Sequence, residues 1–247
     1  MEMVVFAKLW EWFRYGKGRE AMSQSFIPKG PGAEGFDPDY WARYYGDLSI
    51  MDGVYNGRQH AQYLKSLFEL EGVHVGEIVD LGFGLGHLLS EMIDAFMPYC
   101  VDGIEPSPHA FHHVRVEDLR RVPSMEVSLQ QMDLLSWCLD SSLDDKVYDL
   151  GLCTSVFQYL SDEEIKTCIP ILAKRLRFFY FTVPLDIELE YQTEQMDFDD
   201  VFAKYRSREE YHQLFAPGFT VVASRVLESK VHFDEDNSCF NELLYRY

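Results

Sequence analysis

From about residue 77 onwards, short apolar runs alternate with amphipathic stretches along the chain. Apolar runs bounded by polar residues or glycines predict buried strands, and apolar residues spaced three and four apart predict helices. The predicted strands are Glu77–Leu81, Cys100–Ile104, Glu126–Met132, Tyr148–Thr154, Phe178–Val183, Thr220–Leu227 and Phe240–Tyr245. The predicted helices between them are His87–Phe96, a segment through Phe111 and Val114, Asp162–Arg175 and Arg208–Phe215. This alternation predicts a mostly parallel sheet covered on both faces, ending in an antiparallel hairpin.

The chain before the first strand has a different pattern. Residues 4–13 predict a short helix whose apolar side chains occupy most of its circumference, so that something must cover it. Docking on its own domain is the favoured interpretation, and a homodimer contact or a membrane-surface helix are the alternatives. Prolines and glycines between Ser25 and Pro38 predict an irregular connector, and the stretch from Tyr40 to Leu70 is helical in pattern.

Composition and charge exclude several functional classes. A chain of 247 residues with 47% hydrophobic residues fits one large α/β domain with an added cap, and it excludes global disorder. With 22 Lys and Arg against 41 Asp and Glu, the net charge of −19 disfavours DNA and RNA as partners. No stretch approaches the ~20 apolar residues of a membrane span.

The five cysteines are widely spaced without a C-x-x-C pair, and the start of the chain does not resemble a secretion signal. We therefore expect a cytoplasmic protein.

The clearest chemical signal is a glycine-rich turn between a predicted strand and a predicted helix. Asp80 ends the strand, and Gly82, Gly84 and Gly86 follow at alternate positions. Glycines allow the backbone to turn sharply and to approach a ligand at the start of a helix. A tight structural turn is the alternative. The spacing differs from the dinucleotide-binding G-x-G-x-x-G because His87 stands where the third glycine belongs.

Two further acidic residues follow the next two predicted strands. Glu105 comes 21 residues after Gly84, where a carboxylate can accept hydrogen bonds from both hydroxyls of a ribose. Asp133 follows the third strand and could accept from an adenine amine, with Leu134 against the ring. Each alone is compatible with a solvated loop residue, but the carboxyl ends of parallel strands share one edge of a sheet. Together they predict one nucleoside-binding crevice.

Over roughly residues 40–247 the sequence resembles the class I S-adenosylmethionine-dependent methyltransferases. The resemblance rests on the order and spacing of four segments, which are Asp80–Gly86, Glu105, Asp133-Leu134 and Tyr148–Leu160. It implies a Rossmann-like seven-stranded sheet that is mostly parallel with an antiparallel last strand, helices on both faces and a small cap. It also implies S-adenosyl-L-methionine (AdoMet) as cofactor. The cofactor-binding residues implied are Asp80, Gly82, Gly84, Gly86, Glu105, Pro106, Asp133, Leu134 and Ser155.

The end of the fourth predicted strand resembles the small-molecule enzymes of this family, such as those acting on quinone precursors or trans-aconitate. Many of these carry Glu-His where this chain has Gln158-Tyr159, so that a general base is not assured. Tyr159 is nevertheless the candidate catalytic residue, expected to position the acceptor. Arg58 lies in a segment similar to an Asn-x-x-Arg segment of quinone-precursor enzymes and could grip the methionyl carboxylate. A surface arginine is the alternative there.

Two other clusters, one of histidines and one of acidic residues, contain side chains that can bind ligands. His109, His112 and His113 share helical spacing without a matching acidic or cysteine ligand, which favours an exposed helical face over a metal site. Seven acidic residues lie between Asp186 and Asp200, where small-molecule members of the family insert an acceptor-binding cap. A solvated acidic loop is slightly favoured, and a lid facing an amine-bearing acceptor is the alternative.

These observations predict an N-terminal cap or lid over residues 1–58 and a methyltransferase core over 59–247, with an inserted cap at about 185–207. The predicted function is transfer of a methyl group from AdoMet to an oxygen or nitrogen of a small molecule by in-line displacement. The alternatives are a protein or peptide methyltransferase and a catalytically silent partner subunit. A nicotinamide oxidoreductase is disfavoured by the glycine spacing.

Overall fold

The computed structural model describes residues 35–44, 53–196, 200 and 202–247, and the helix predicted at residues 4–13 lies outside them. The strands are β1 (Glu77–Leu81), β2 (Cys100–Ile104), β3 (Glu126–Gln130), β4 (Tyr148–Thr154), β5 (Leu176–Thr182), β6 (Phe219–Ala223) and β7 (Val226–Ser229). The α-helices are α1 (Pro38–Tyr44), α2 (Gly57–Leu70), α3 (His87–Phe96), α4 (Pro108–His113), α5 (Val116–Leu119), α6 (Leu134–Leu139), α7 (Asp162–Arg175), α8 (Asp186–Met196) and α9 (Arg208–Phe215). Short 3₁₀ turns occupy Ser141–Leu143, Phe157–Tyr159 and Leu243–Tyr245.

The strands form a seven-stranded sheet in the order β3-β2-β1-β4-β5-β7-β6. Strands β1 to β5 run parallel, whereas β7 is antiparallel to both β5 and β6. The chain winds outwards from β1 to β3 and then returns to place β4 on the other side of β1. Ligands of open α/β sheets bind where the winding direction reverses, outside the carboxyl ends of the strands. The crevice beyond β1 and β4 is therefore the expected binding site.

Helices cover both faces of the sheet and bury two apolar cores. On one face, α2 and α3 contribute Leu64, Phe68 and Met92, which pack against Ile78 and Leu150 of the sheet. On the other face, α6, α7 and α9 cover a core that includes Trp137, Leu172, Phe179 and Phe215. A strand that is buried on both faces needs apolar residues at most positions, which is why β1, β4 and β5 are mostly apolar.

Two of the covering helices begin with a capping box. Ser161 accepts from the backbone N–H of Glu164, and the Glu164 carboxylate accepts from the backbone N–H of Ser161. Ser207 and Glu210 form the same reciprocal arrangement at the start of α9. These pairs satisfy N–H groups that no helical carbonyl can reach, and they explain why the sequence predicts both helix starts correctly.

The end of the sheet differs from the sequence prediction. The run predicted as one strand at 220–227 is two strands, β6 and β7, joined by a tight turn in which Arg225 has a positive φ of 66°. Neither glycine, proline nor asparagine marks that turn, so the apolar pattern concealed it. The strand predicted at 240–245 is wrong, because the described chain there forms a 3₁₀ turn and Phe240 packs on Phe68 and Phe178.

Two other expectations are corrected. The stretch between Asp186 and Asp200, for which a solvated loop was slightly favoured, begins with helix α8. The sequence also places Leu70 with Leu64, Leu67 and Phe68 on one apolar helix face, but Leu70 is 81% exposed at the end of α2. Among the described residues, no helix is both long and apolar enough to cross a membrane.

Candidate functional site

The glycine-rich turn lies at the carboxyl end of β1 and leads directly into α3. Gly82, Gly84 and Gly86 all have positive φ values, at 106°, 53° and 77°, which side chains other than glycine rarely adopt. Gly86 is also the N-cap residue of α3. A Cβ atom at Gly82 would lie 2.6 Å from Cγ2 of Val156, so the segment after β4 packs directly on the turn. The sequence therefore needs glycine here for conformation and for close approach.

The turn is held by hydrogen bonds within the protein. The N–H groups of Gly82 and Phe83 donate to the carbonyl of Ile104 at 2.9 and 3.2 Å, and that of Gly86 donates to the carbonyl of Phe83 at 2.8 Å. The N–H of Gly84 donates to Oε2 of Glu105 at 2.9 Å. These four amides already have acceptors, so their part in binding a ligand is to let it approach the backbone closely.

Glu105 follows β2 and joins the glycine turn to the next loop. Its Oε2 accepts from Gly84 and its Oε1 accepts from the backbone N–H of Ser107, at 2.9 Å in each case. The side chain is only 5% exposed. Burial raises the pKa of this carboxyl to about 7, partly opposed by the two backbone N–H donors. Each oxygen keeps a second lone pair with which to accept a hydrogen bond from a ligand.

Asp80 is the second buried carboxyl of the site. It lies on β1, opposite Gly103 of β2 and Leu152 of β4, and it is 4% exposed. Burial, and then the nearby charge of Glu105, raise the pKa of Asp80 to about 8. Within the described residues, no group donates a hydrogen bond to its carboxylate. A buried carboxyl without a donor is unfavourable in its charged form unless a cation joins it.

Asp133 and Leu134 lie at the carboxyl edge of the sheet as predicted, but Asp133 has a structural role as well. It is the N-cap of α6, where Oδ1 accepts from the N–H of Ser136 at 2.9 Å and Oδ2 from its hydroxyl at 2.7 Å. Asp133 is exposed, whereas Leu134 is buried. The two carboxyl oxygens have further lone pairs, so the cap does not prevent a contact to a ligand.

The segment after β4 brings another predicted residue to this edge. Ser155 has a φ of 56°, which is uncommon for a residue other than glycine, and its N–H donates to the carbonyl of Thr182 at the end of β5. Its side chain is exposed. Strained backbone of this kind persists only where the surroundings fix it, and it clusters at functional sites.

Tyr159 lies in the 3₁₀ turn that follows. Its hydroxyl donates to Oδ2 of Asp200 at 2.7 Å, and its ring packs edge-on against Phe36 with ring centroids 5.0 Å apart. Burial, followed by the neighbouring Tyr40 and Asp200, raises the pKa of Tyr159 well above its usual value. The phenol is therefore neutral at physiological pH and unsuited to act as a base.

The segment around α1 lies within the cap predicted for residues 1–58, but the sequence did not reveal which of its residues contact the site. The indole N–H of Trp41 donates to Oγ of Ser107 and to the carbonyl of Phe36, both at 3.0 Å. Its ring lies 3.4 Å from where a Cβ of Gly84 would be. α1 thus covers the glycine turn while Phe36 covers Tyr159. The sequence does show three aromatic residues here, Phe36, Tyr40 and Trp41. Aromatic residues alone, however, do not indicate which part of the protein they pack against.

Two predicted residues have less definite places. Arg58 is exposed in the first turn of α2, and a Cβ at its neighbour Gly57 would lie 3.7 Å from the backbone of Leu88 at the start of α3. Arg58 therefore directly follows a residue that packs against the helix that the glycine turn opens. Pro106 is half-buried and separates Glu105 from Ser107 in the sequence.

The three histidines of α4 are exposed, as predicted. His109 stacks on Trp41 with ring centroids 6.3 Å apart, and Nδ1 of His112 lies 2.6 Å from the carbonyl of Pro108. An open groove of about 630 Å³ lies along them and is also lined by Phe36, Asp37 and Pro38. Among the residues that the structure describes, no cluster of His, Cys, Asp and Glu is arranged to hold a metal ion.

Comparison with known proteins identifies the fold independently. Residues 78–177 match the family described as a methyltransferase domain. The chain is similar to the plantazolicin methyltransferase BpumL in complex with a monoazolic desmethylPZN analog and SAH, at 18% identity and a TM-score of 0.56, covering 74% of this chain and 71% of that one. No curated protein sequence matches the chain.

Two further solved structures share the fold. Magnesium protoporphyrin IX methyltransferase (ChlM) from Synechocystis PCC 6803 with bound SAH is 18% identical at a TM-score of 0.50, covering 74% of this chain and 85% of that one. A chain from the complex of the Haloferax volcanii Trm112 methyltransferase activator is 21% identical at a TM-score of 0.50, covering 73% and 75%. Together with the sheet order, these matches show that the chain has the Rossmann-like methyltransferase fold, and residues 78–177 match a methyltransferase domain.

Proposed function

We propose that this protein is an AdoMet-dependent methyltransferase that methylates an oxygen or nitrogen atom of a small molecule. The observation that carries the proposal is the pair of buried carboxyls, Asp80 and Glu105, beside the glycine turn. Burial raises the pKa of Asp80 to about 8 and that of Glu105 to about 7, so burial disfavours the charged forms of both carboxyls. A positively charged ligand reverses that preference.

The chemistry of AdoMet fits these residues. It carries a sulfonium, an ammonium, a carboxylate and two ribose hydroxyls. Asp80 would hold the ammonium, and Glu105 would accept from the ribose hydroxyls with the lone pairs that Gly84 and Ser107 leave open. Asp133 would accept from the adenine amine, beside Leu134, Pro106 and Ser155. Arg58 would reach the methionyl carboxylate. The three loop glycines would let the backbone approach the cofactor.

Methyl transfer to a nucleophile needs placement more than acid–base chemistry. AdoMet supplies an electrophilic methyl group on its sulfonium. The chain's part is to hold the acceptor in line with that methyl group and to exclude water. Tyr159 would orient the acceptor through its hydroxyl. Its raised pKa keeps the phenol neutral, which supports a positioning role and argues against proton abstraction.

The covering segments support a small acceptor. Phe36 of the N-terminal segment and Asp200, which follows α8, both contact Tyr159. We propose that residues 1–58 and an insert at about 185–207 act as two caps over a core at 59–247. An acceptor enclosed between caps must be small. The structural neighbours BpumL and ChlM, whose names include plantazolicin and magnesium protoporphyrin IX, are compatible with acceptors of this kind.

One observation favours an alternative. A structural neighbour comes from a complex with the Trm112 methyltransferase activator, so a chain of this fold can work with a protein partner. The alternatives are accordingly a protein or peptide methyltransferase and a catalytically silent partner subunit. A homodimer is a further proposal.

Two measurements test the proposal. Calorimetric titration should show binding of AdoMet and not of NAD, and NAD binding in its place would refute the cofactor assignment. Protein incubated with AdoMet labelled in its methyl group should then label a component of a cell extract. Label in the low-molecular-weight fraction supports the small-molecule acceptor, whereas label in protein or peptide supports the first alternative. Cofactor binding without any labelled product supports the silent subunit.

A further inference from the structure

Gln158 is a buried polar residue that the cofactor site does not use. It lies between Phe157 and Tyr159 in the 3₁₀ turn after β4 and is 3% exposed. Its side-chain Oε1 is fully buried and has no hydrogen-bond partner within the described part of the chain. Buried amides in native proteins are nearly always hydrogen-bonded, because an unpaired one loses its contacts with water and gains nothing in return. An exception at the edge of a binding crevice indicates a ligand.

The backbone of Gln158 is fixed, although its side-chain Oε1 has no partner among the described residues. The carbonyl of Gln158 accepts from the N–H of Lys204 at 2.8 Å. Arg206 donates to the carbonyls on either side of the turn, those of Phe157 at 3.3 Å and Leu160 at 2.6 Å. The turn is thus tied to the segment after α8, so Gln158 cannot relax easily to find a partner elsewhere.

The position of Gln158 favours the methyl acceptor over the cofactor as its ligand. The groups that fit AdoMet lie at the ends of β1 and β2 and in the glycine turn. Gln158 follows β4 instead, and its neighbour Tyr159 contacts both covering segments through Phe36 and Asp200. Val156, two residues earlier, packs against Gly82, so this turn lies next to the glycine-rich turn.

The charges near the turn restrict the chemistry of that acceptor. Asp200 is hydrogen-bonded to Tyr159, and the acidic helix α8 precedes it. Within the described residues, the guanidinium that contacts this turn is that of Arg206, and it is paired with Asp162 and two carbonyls. A carboxylate-bearing acceptor would meet negative charge here, whereas a neutral or cationic one would not.

We propose that the side-chain amide of Gln158 binds the methyl acceptor and selects a neutral or cationic molecule that presents an N–H or O–H group. The unpaired oxygen accepts a hydrogen bond from that group, and Tyr159 and Phe36 lie against the acceptor's apolar part. This inference rests on the proposed function and deepens it by naming the class of acceptor. It also gives a physical reason for glutamine at this position: an uncharged amide recognises a donor without adding another charge.

The first test is the stability of the protein without ligands. Gln158→Met keeps the length of the side chain and removes its polar atoms, so it should raise the melting temperature, by about 2–4 °C for a chain of this size. Gln213→Met is the matched control, because Gln213 is exposed on α9 and bonded to Glu209. It should leave the melting temperature nearly unchanged. A melting temperature lowered by Gln158→Met would mean that the amide has a structural partner, and it would overturn the proposal.

The second test uses small probes on the protein saturated with AdoMet. Ligand-observed NMR should detect binding of benzylamine and benzamide, which carry N–H donors on one aromatic frame, and not of benzoate. Gln158→Met should weaken the binding of both donors by roughly tenfold, the effect of one lost hydrogen bond. Equal binding by the wild type and Gln158→Met, benzoate binding as strong as that of benzylamine, or no binding of either donor would each overturn the inference.

Calorimetry separates this inference from the proposed function. Gln158→Met should bind AdoMet with wild-type affinity, since the amide lies outside the cofactor contacts. If the wild-type protein fails to bind AdoMet, the proposed function fails, whatever the melting temperatures are. If AdoMet binds normally but the probes and the stability do not respond to Gln158→Met, the role of Gln158 alone fails.

Discussion

Replacing Asp80 by asparagine should change how the stability of the ligand-free protein depends on pH. Burial raises the pKa of Asp80 in the folded protein from its usual value of 3.8 to about 8. Between these two values the folded state keeps a proton that the unfolded state has released. The stability contributed by that proton is therefore fully present below about pH 4 and is lost as the pH rises through the folded-state pKa.

The size of the effect follows from the number of protons. One group that is protonated only in the folded state lowers the free energy of unfolding by about 1.4 kcal/mol for each unit of rising pH. Between pH 5 and pH 7 the wild-type protein should therefore lose about 3 kcal/mol on account of Asp80. Asp80→Asn cannot titrate, so its stability relative to the wild type should rise by that amount over the same interval.

Urea unfolding followed by tryptophan fluorescence at pH 5, 6 and 7 measures this difference. Asp145→Asn is the matched control, because Asp145 is exposed and its carboxylate is solvated in both states. Its stability relative to the wild type should not change with pH. A difference between Asp80→Asn and the wild type that is constant from pH 5 to pH 7 would refute the assignment of a neutral buried carboxyl.

Four further substitutions test the proposed site. Gly84→Val places a β-branched side chain at a φ of 53° and against Trp41. The domain should still fold, but calorimetry should detect no AdoMet binding. Wild-type affinity would contradict the placement of the cofactor. Glu105→Ala should weaken AdoMet binding at least tenfold more than Asp133→Ala, because Glu105 would accept two charge-assisted hydrogen bonds of about 1.5–3 kcal/mol each and also fixes Gly84. Equal, small effects would mean that the nucleoside lies elsewhere. Tyr159→Phe should lower turnover by roughly ten- to a hundredfold with little change in AdoMet affinity, and full activity would contradict a positioning role.

Much of the parallel sheet could be predicted from the sequence because its strands are buried on both faces. β1, β2 and β4 occupy the predicted bounds, and so do helices α3, α7 and α9. The hydrophobic pattern gave wrong predictions at the end of the sheet, where the local sequence does not reflect the tertiary structure. The turn at Arg225 lacks a typical turn residue, and the run near Phe240 is apolar because it packs on the core without pairing in the sheet.

The candidate site was predictable only in part, for a related reason. Asp80, the three glycines and Glu105 could be brought together from the sequence, since the carboxyl ends of parallel strands share one edge. The cover that α1 provides through Trp41 depends on a contact between residues 66 positions apart, Trp41 and Ser107, which no periodicity encodes. That Oε1 of Gln158 lacks a partner among the described residues likewise cannot be inferred from the sequence, because it depends on the surroundings of the side chain.

We propose that Asp80 binds the ammonium of AdoMet and that Glu105 accepts hydrogen bonds from its ribose hydroxyls, both as charged carboxylates. Calorimetric titration with AdoMet at pH 7, repeated in buffers of different ionisation enthalpy, measures the protons that binding releases. The raised pKa values, about 8 for Asp80 and about 7 for Glu105, predict net proton release and an affinity that increases from pH 6 to pH 8. Both effects should disappear in the double variant Asp80→Asn, Glu105→Gln. AdoMet binding without proton release in the wild-type protein, or no binding at all, would contradict the account.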